Sequence, residues 1–294
     1  MTPTTDLDAR PAAFEGAIGV FDSGVGGLSV LQEIVRHIPQ QPVLYFADTG
    51  HVPYGDRQAG EIRSFAQAIT AFLVERGARA VVVACNTASA VALYPLRDRF
   101  DLPIVGMEPA VKPAAERTHS QQIGVIATQA TFQGQLFARL VERFSRETRI
   151  HTQVCPGLVE RVEAGLIDDP GTEALLRTCL SPMLKAGIDS LVLGCTHYAF
   201  LRPTIERLVG PEVAVIDPAP AVARQTARVW TQLGEPRRKE SGSGHVTYFV
   251  SGDPLAFQTI ARRLTGIPGA VVPVQWVGGT PQLAAPPQRV KSSP

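Results

Sequence analysis

The 294-residue chain carries 28 Lys and Arg against 27 Asp and Glu, a formal net charge of +1, and is 45% hydrophobic and 19% charged. That balance supplies a globular core and gives no electrostatic reason to expect a nucleic-acid or membrane-surface partner. No apolar run approaches the roughly 18 residues of a membrane span, and the start, MTPTTDLDARPAAFEG, lacks the basic and apolar regions of a secretion signal. Residues 1–14 read as a disordered extension, and the Pro-, Gly- and Ser-rich end, 279–294, as a second loose tail. Four cysteines in a chain this long do not make a disulfide scaffold; they are expected to stay reduced, as in a cytoplasmic protein.

In chain order, AIGVF (17–21) is a short apolar run bounded by glycine and polar residues, which marks a buried strand. GGLSVLQEIVRHIP follows with helical spacing and a proline stop. PVLYFAD (42–48), RAVVVAC (79–85) and LPIVGMEPA (102–110) are further strands, with a helix over 59–76 that ends near Gly77. These strands are continuously rather than alternately apolar. Both faces must therefore be covered, as in a parallel sheet flanked by helices.

The series then restarts. QQIGVIAT (121–128) resembles GAIGVFDS (16–23) at an offset of 105, and RIHTQVCP (149–156) falls where PVLYFADT falls, at 107. DSLVLGC (189–195) matches RAVVVAC at about 110, and VIDPA (215–219) matches GMEPA (106–110) at 109. Four strands in one order at a near-constant offset imply an α/β fold of two pseudo-symmetric, doubly wound parallel-sheet domains with the active site in the cleft between them. The helix 220–233, the strand 245–251 and the helix 253–264 return to complete the first half, after a flexible ESGSG connector at 240–244. One domain is then 15–110 plus 218–268, and the other 111–217.

Ligands of such sheets bind beyond the C-terminal strand ends. Asp22, Cys85 and Asn86 stand at those ends in the first half, and Thr128, Cys195, Thr196 and His197 in the second. Facing halves would bring two matched thiols to one cleft. Near-mirrored reactive groups suit a near-mirrored reaction, and racemisation is the obvious one: one thiolate removes a proton from a carbon and the opposite thiol donates another. Each sulfur would stand about 3–3.5 Å from that carbon, so the pair would be too far apart to cross-link. A helix N-terminus after each cysteine favours the anion. His197 is a candidate proton shuttle for Cys195, and Asp22 a candidate for orienting or deprotonating Cys85. Ser23, Asn86, Thr87 and Thr196 are suited to hold a carboxylate and stabilise the adjoining carbanion. The glycine-rich turn DSGVGG (22–27) allows backbone N–H groups to approach an anion, but it is neither a dinucleotide fingerprint nor a P-loop.

Other readings compete. Asp22 could simply cap the following helix, and Tyr54–Gly55 after Pro53 could be turn chemistry only. His51, in the TGHVPYG loop, is expected to be exposed, and Cys155 and Cys179 to be structural. The Cys, His and Asp inventory also fits a thiol redox or metal-binding protein, although CxxC and zinc spacing are absent. A non-catalytic small-acid-binding protein could use the same scaffold. Lys112 and Lys185 lie in helical or connecting stretches rather than at strand ends, where a pyridoxal-phosphate lysine would be sought.

IGVFDSGVGGLSVL (18–31), FADTGHVPYGDR (46–57), VACNTASA (83–90) and LGCTHYAF (194–201) together resemble the glutamate racemases, over roughly residues 15–265. The resemblance implies a cofactor-independent, metal-free cytoplasmic isomerase that interconverts L- and D-glutamate, the latter for bacterial peptidoglycan and hence cell-wall biogenesis and cell shape. It implies Cys85 and Cys195 as the acid/base pair, Cys85 acting on D-glutamate and Cys195 on L-glutamate. Asp22, Ser23, Pro53, Tyr54, Gly55, Asn86, Thr87, Thr196 and His197 match the family's substrate-contacting positions. ATQAT (127–131) adds Thr128 and Thr131. CPGLVERVEAG departs from the family's usual run after Cys155, and Glu163 is the acidic residue it offers there. A sister enzyme acting on aspartate shares the CNTA motif. Small-molecule substrate is the partner implied, with room for a homodimer.

Overall fold

The computed structural model describes residues 16–234 and 245–284. The N-terminal extension and the ESGSG connector lie outside the described residues. The first half contributes β1 (Ala17–Asp22), β2 (Val43–Ala47), β3 (Ala78–Val83) and β4 (Ile104–Gly106); the second contributes β5 (Gln122–Ala127), β6 (Arg149–Val154), β7 (Ser190–Gly194) and β8 (Ala214–Ile216). The chain then returns through β9 (Val246–Val250), β10 (Gly269–Val277) and β11 (Thr280–Leu283).

Two sheets result. The larger runs β11-β10-β9-β2-β1-β3-β4 and the smaller β6-β5-β7-β8. The order β2-β1-β3-β4 is thus repeated as β6-β5-β7-β8, which is the structural form of the internal sequence repeat. All pairs are parallel except β10 with β11. Equivalent registers end at equivalent places: Phe21 pairs with Val83, and Ala127 with Gly194. The chain leaves β3 into Cys85 and β7 into Cys195, so the topology alone sets both thiols at the same end of their sheets.

Helices cover the sheets because the central strands are apolar on both faces; β1, β2, β7 and β9 are buried throughout. One apolar cluster runs from Leu28, Leu31 and Tyr45 in the first half to Leu158, Val162 and Leu193 in the second, so the two halves share a core. A second cluster lies on the other face of the large sheet, where Phe249 meets Phe72 edge-on with ring centroids 5.0 Å apart.

The C-terminal end differs from expectation. Residues 269–283 form a hairpin on the large sheet, so the first half does not stop at 268, and the loose tail does not begin at 279. The turn is Gly278–Gly279, both at positive φ (56° and 80°). That conformation is what a tight hairpin between twisted strands requires. Cys155 and Cys179 are structural, as expected, but they are not reduced. They are joined as a disulfide with Cα atoms 5.7 Å apart, a span that suits the bond, because the segment after β6 packs against the helix Pro170–Lys185. No described helix is long and apolar enough to cross a membrane.

Phe249 fills the centre of the second cluster with no exposure. Phe249→Ala should cost about 3–5 kcal/mol of stability, measured by urea unfolding; a loss under about 1 kcal/mol would contradict this placement of the core.

Candidate active site

Asp22 ends β1 and is fully buried. Its Oδ2 accepts the backbone N–H of Gly27 at 2.6 Å and that of Gly24 at 3.4 Å. The carboxylate therefore does brace the glycine-rich turn. Its Oδ1, however, has no hydrogen-bond partner among the described residues. Burial raises the Asp22 pKa above the usual carboxylate range, against the pull of the His197 charge and the Gly27 N–H.

Cys85 caps the helix Asn86–Arg99, with its sulfur accepting from the Ala88 N–H at 3.4 Å. The Cys85 thiol faces the Ser23 hydroxyl at 3.9 Å. The expected helix effect is present but loses. Burial, then the nearby Asp22 charge, push the Cys85 pKa well above that of an ordinary thiol; the Ala88 N–H opposes this and Cys195 adds to it. At neutral pH Cys85 keeps its proton. The favoured anion expected from the helix end is thus corrected at this cysteine, because desolvation outweighs one distant N–H. Both Cys85 and Cys195 are free thiols, buried at 4% and 7% exposure.

Cys195 precedes a 3₁₀ turn, Thr196–Leu201, and its sulfur lies 3.7 Å from His197 Nδ1. The other ring nitrogen, Nε2, lies 2.6 Å from Glu163 Oε1. Burial disfavours a charged imidazole, yet the bonds to Cys195 and Glu163 prevail and hold the His197 pKa well above its ordinary value. In its protonated form His197 would donate from both nitrogens. Glu163, from the helix Leu158–Glu163, also accepts the Val25 N–H at 2.8 Å, across the boundary between the halves.

The glycines of DSGVGG are needed for this contact. A Cβ on Gly26 would lie 2.4 Å from His197 Nδ1 and 2.5 Å from Thr196 Oγ1, and a Cβ on Gly24 would overlap the Glu163 carboxylate. The turn packs directly onto the histidine–glutamate pair. Opposite it, Thr87 Oγ1 lies 2.8 Å from Thr128 Oγ1 and 3.4 Å from Thr131 Oγ1, and Thr128 caps the next short helix. The side-chain amide of Asn86 is buried, and neither of its polar atoms has a partner among the described residues. With Asp22 Oδ1, it is a polar group that a small zwitterion between the halves would satisfy.

The structure therefore brings Asp22, Ser23, Cys85, Asn86, Thr87, Thr128, Thr131, Glu163, Cys195, Thr196 and His197 to one inter-half boundary. Gly55 stands at its edge, in the turn that follows Pro53: a Cβ on Gly55 would lie 3.1 Å from Thr128 Cβ. The Tyr54 hydroxyl is committed elsewhere, donating to the buried Asp48 at 2.5 Å. His51, expected to be exposed, is half-buried and contacts the same carboxylate at 3.0 Å. Asp48 was within reach of the sequence, as an acid ending the apolar strand VLYFA, but carried no paired partner to mark it.

Two free thiols at equivalent strand ends, flanked by an acid on one side and a histidine on the other, match a family. The Asp/Glu/Hydantoin racemase profile spans residues 18–226. This chain belongs to the Asp/Glu racemases. It is 52% identical over 264 residues to a glutamate racemase of Pseudomonas aeruginosa strain PAO1, covering 88% of this chain and 98% of that one. A glutamate racemase structure from Bacillus anthracis superposes with a TM-score of 0.79 at 32% identity, covering 90% of this chain and 98% of the other. An Escherichia coli glutamate racemase, solved with L-glutamate and the activator UDP-MurNAc-ala, gives 0.77 at 30% identity, covering 90% and 100%. Membership makes the chain an amino-acid racemase and sets aside the thiol-redox, metal-binding and purely binding alternatives.

Gly26→Ala should leave a folded racemase with displaced His197. Activity is expected to fall about 100-fold, as misplacement by about 1 Å can cause, and the overpacked turn should also cost about 1–3 kcal/mol of stability. Activity within about threefold of wild type would mean that the turn does not position the histidine.

Proposed function

We propose that the chain interconverts L- and D-glutamate by proton transfer between two opposed cysteines, with no cofactor in the transfer, and supplies D-glutamate for peptidoglycan. The observation that carries this reading is the pair of free thiols, Cys85 and Cys195, placed by equivalent strands of two repeated sheets. Identity of 46% and 52% to two glutamate racemases favours glutamate as substrate.

The two thiols differ in their surroundings. The Cys195 sulfur has His197 Nδ1 3.7 Å away, whereas Cys85 lies beside the buried Asp22. Cys85 holds its proton. In the L-to-D direction the Cys195 thiolate removes the α-proton and becomes a thiol. The Cys85 thiol donates its proton to the opposite face and becomes a thiolate. No charge is gained or lost. Each turnover ends with the protonation states exchanged, and the raised Cys85 pKa favours their return. The carbanion between the two steps is stabilised by donors aimed at the adjacent carboxylate; the Asn86 amide and the hydroxyls of Ser23, Thr87 and Thr196 are of that kind. Asp22 Oδ1 is suited to the substrate ammonium.

L-Glutamate incubated in D₂O without added cofactor should be inverted and should gain deuterium at the α-carbon. Cys85→Ser and Cys195→Ser should each lower inversion at least about 10²-fold, a typical acid/base contribution. Inversion that survives loss of either thiol rules out the two-base mechanism. The pH profile gives a second test. His197 carries its proton at pH values where an ordinary histidine has lost it, and loses it only as pH rises through the raised value. Glu163→Gln removes one of the two groups that raise it. The alkaline fall of L-to-D turnover should then move to lower pH. An unmoved alkaline limb would show that Glu163 does not sustain the histidine charge.

A further inference from the structure

Asp48 follows β2 and is fully buried, yet it touches none of the reacting groups. Its carboxylate is met by four side chains. The Tyr54 hydroxyl donates to Oδ2 at 2.5 Å, and His51 Nδ1 lies 3.0 Å from both oxygens. On Oδ1 the Ser251 hydroxyl donates at 2.6 Å and the Trp276 indole N–H at 2.9 Å. A buried carboxylate is costly unless it is met in this way. None of the four contacts is needed for strand pairing. They tie three separate pieces of chain together: the 51–54 loop, the end of β9, and β10.

The loop so fixed is the one that reaches the cleft. Tyr54 is buried, and Gly55 packs directly against Thr128, whose hydroxyl meets Thr87 across the boundary between the halves. Trp276 also braces the loop by its ring. His51 stacks on Phe65 with centroids 4.2 Å apart, and Trp276 meets His51 at 5.1 Å and Phe65 at 5.2 Å. Trp276 is therefore both a hydrogen-bond donor to Asp48 and a wall for the histidine that shares it.

We infer that Trp276 is a positioning residue for substrate binding: through Asp48 it fixes the Tyr54–Gly55 turn against Thr128, so the C-terminal strand takes part in holding the ligand. Trp276 lies beyond residues 18–226, the part of the chain that the family profile spans. The inference rests on the proposed glutamate reading for its ligand. Trp276→Phe keeps an aromatic ring and removes the N–H. It should raise KM for both glutamate enantiomers about five- to twenty-fold, the scale of a hydrogen bond to a buried charge, and change kcat less than about twofold. Ser251→Ala removes a second donor from the same oxygen and should do the same. In a Tyr54→Phe background, where the turn has already lost its bond to Asp48, Trp276→Phe should have little further effect on KM, because the two act through one carboxylate.

Unchanged KM in both Trp276→Phe and Ser251→Ala overturns the inference, as does a full additional loss in the Tyr54→Phe background. A wild type inert on glutamate overturns the substrate reading alone. The link is then read from melting temperatures: Tyr54→Phe and Trp276→Phe together should lose less than the sum of their separate losses, and additive losses overturn it.

Discussion

The clamp on His197 is the interaction on which the rest of the site depends. The imidazole lies between a thiol and a carboxylate, in surroundings that would otherwise strip its charge. Glu163 holds the clamp from the second half, and the Val25 N–H holds Glu163 from the first. One carboxylate thus both charges the histidine and ties the halves together. The glycines of DSGVGG follow from this. With any larger residue at 24 or 26, the turn could not lie against the pair.

The clamp also breaks the symmetry that the fold sets up. The repeated sheet order delivers Cys85 and Cys195 to equivalent positions, yet the residues after them are not equivalent. Asn86 and Thr87 follow one, and Thr196 and His197 the other. A buried acid faces the first thiol and raises its pKa further; a buried cation faces the second. A two-base racemase needs one proton present and one absent at the start of each turnover. Like surroundings would favour both thiols equally, so the fold provides equivalent positions and the side chains provide the difference.

Much of this could be read before the fold was known, for physical reasons. Buried parallel strands are continuously apolar, so AIGVF, RAVVVAC and their repeats stood out, and chain order placed the cysteines at strand ends. Local chemistry was equally legible: Asp22 at the start of the turn and Cys85 at a helix start make their contacts within a few residues. The remainder depended on distance and direction. The bond from Glu163 to His197 joins residues 34 apart, and the Cys155–Cys179 disulfide spans 24; no periodicity reports either. Nothing in the pattern of residues marks the Tyr54 hydroxyl as pointing to Asp48 rather than into the cleft. The C-terminal hairpin is hidden for a different reason. Gly278–Gly279 between VVPVQWV and TPQL is a recognisable two-residue turn, masked by the Pro-, Gly- and Ser-rich composition around it.

The central claim is that His197 is held as an imidazolium between Cys195 and Glu163, and it can be measured without turnover. With ¹⁵N-labelled histidine, the ring-nitrogen shifts of His197 can be followed by NMR across a pH titration and assigned with a His197→Asn variant. The account predicts a ring that still carries both protons well above pH 6.5, where an ordinary histidine has become neutral. A His197 that titrates at or below that value would contradict it, and with it the charge asymmetry assigned to the two cysteines.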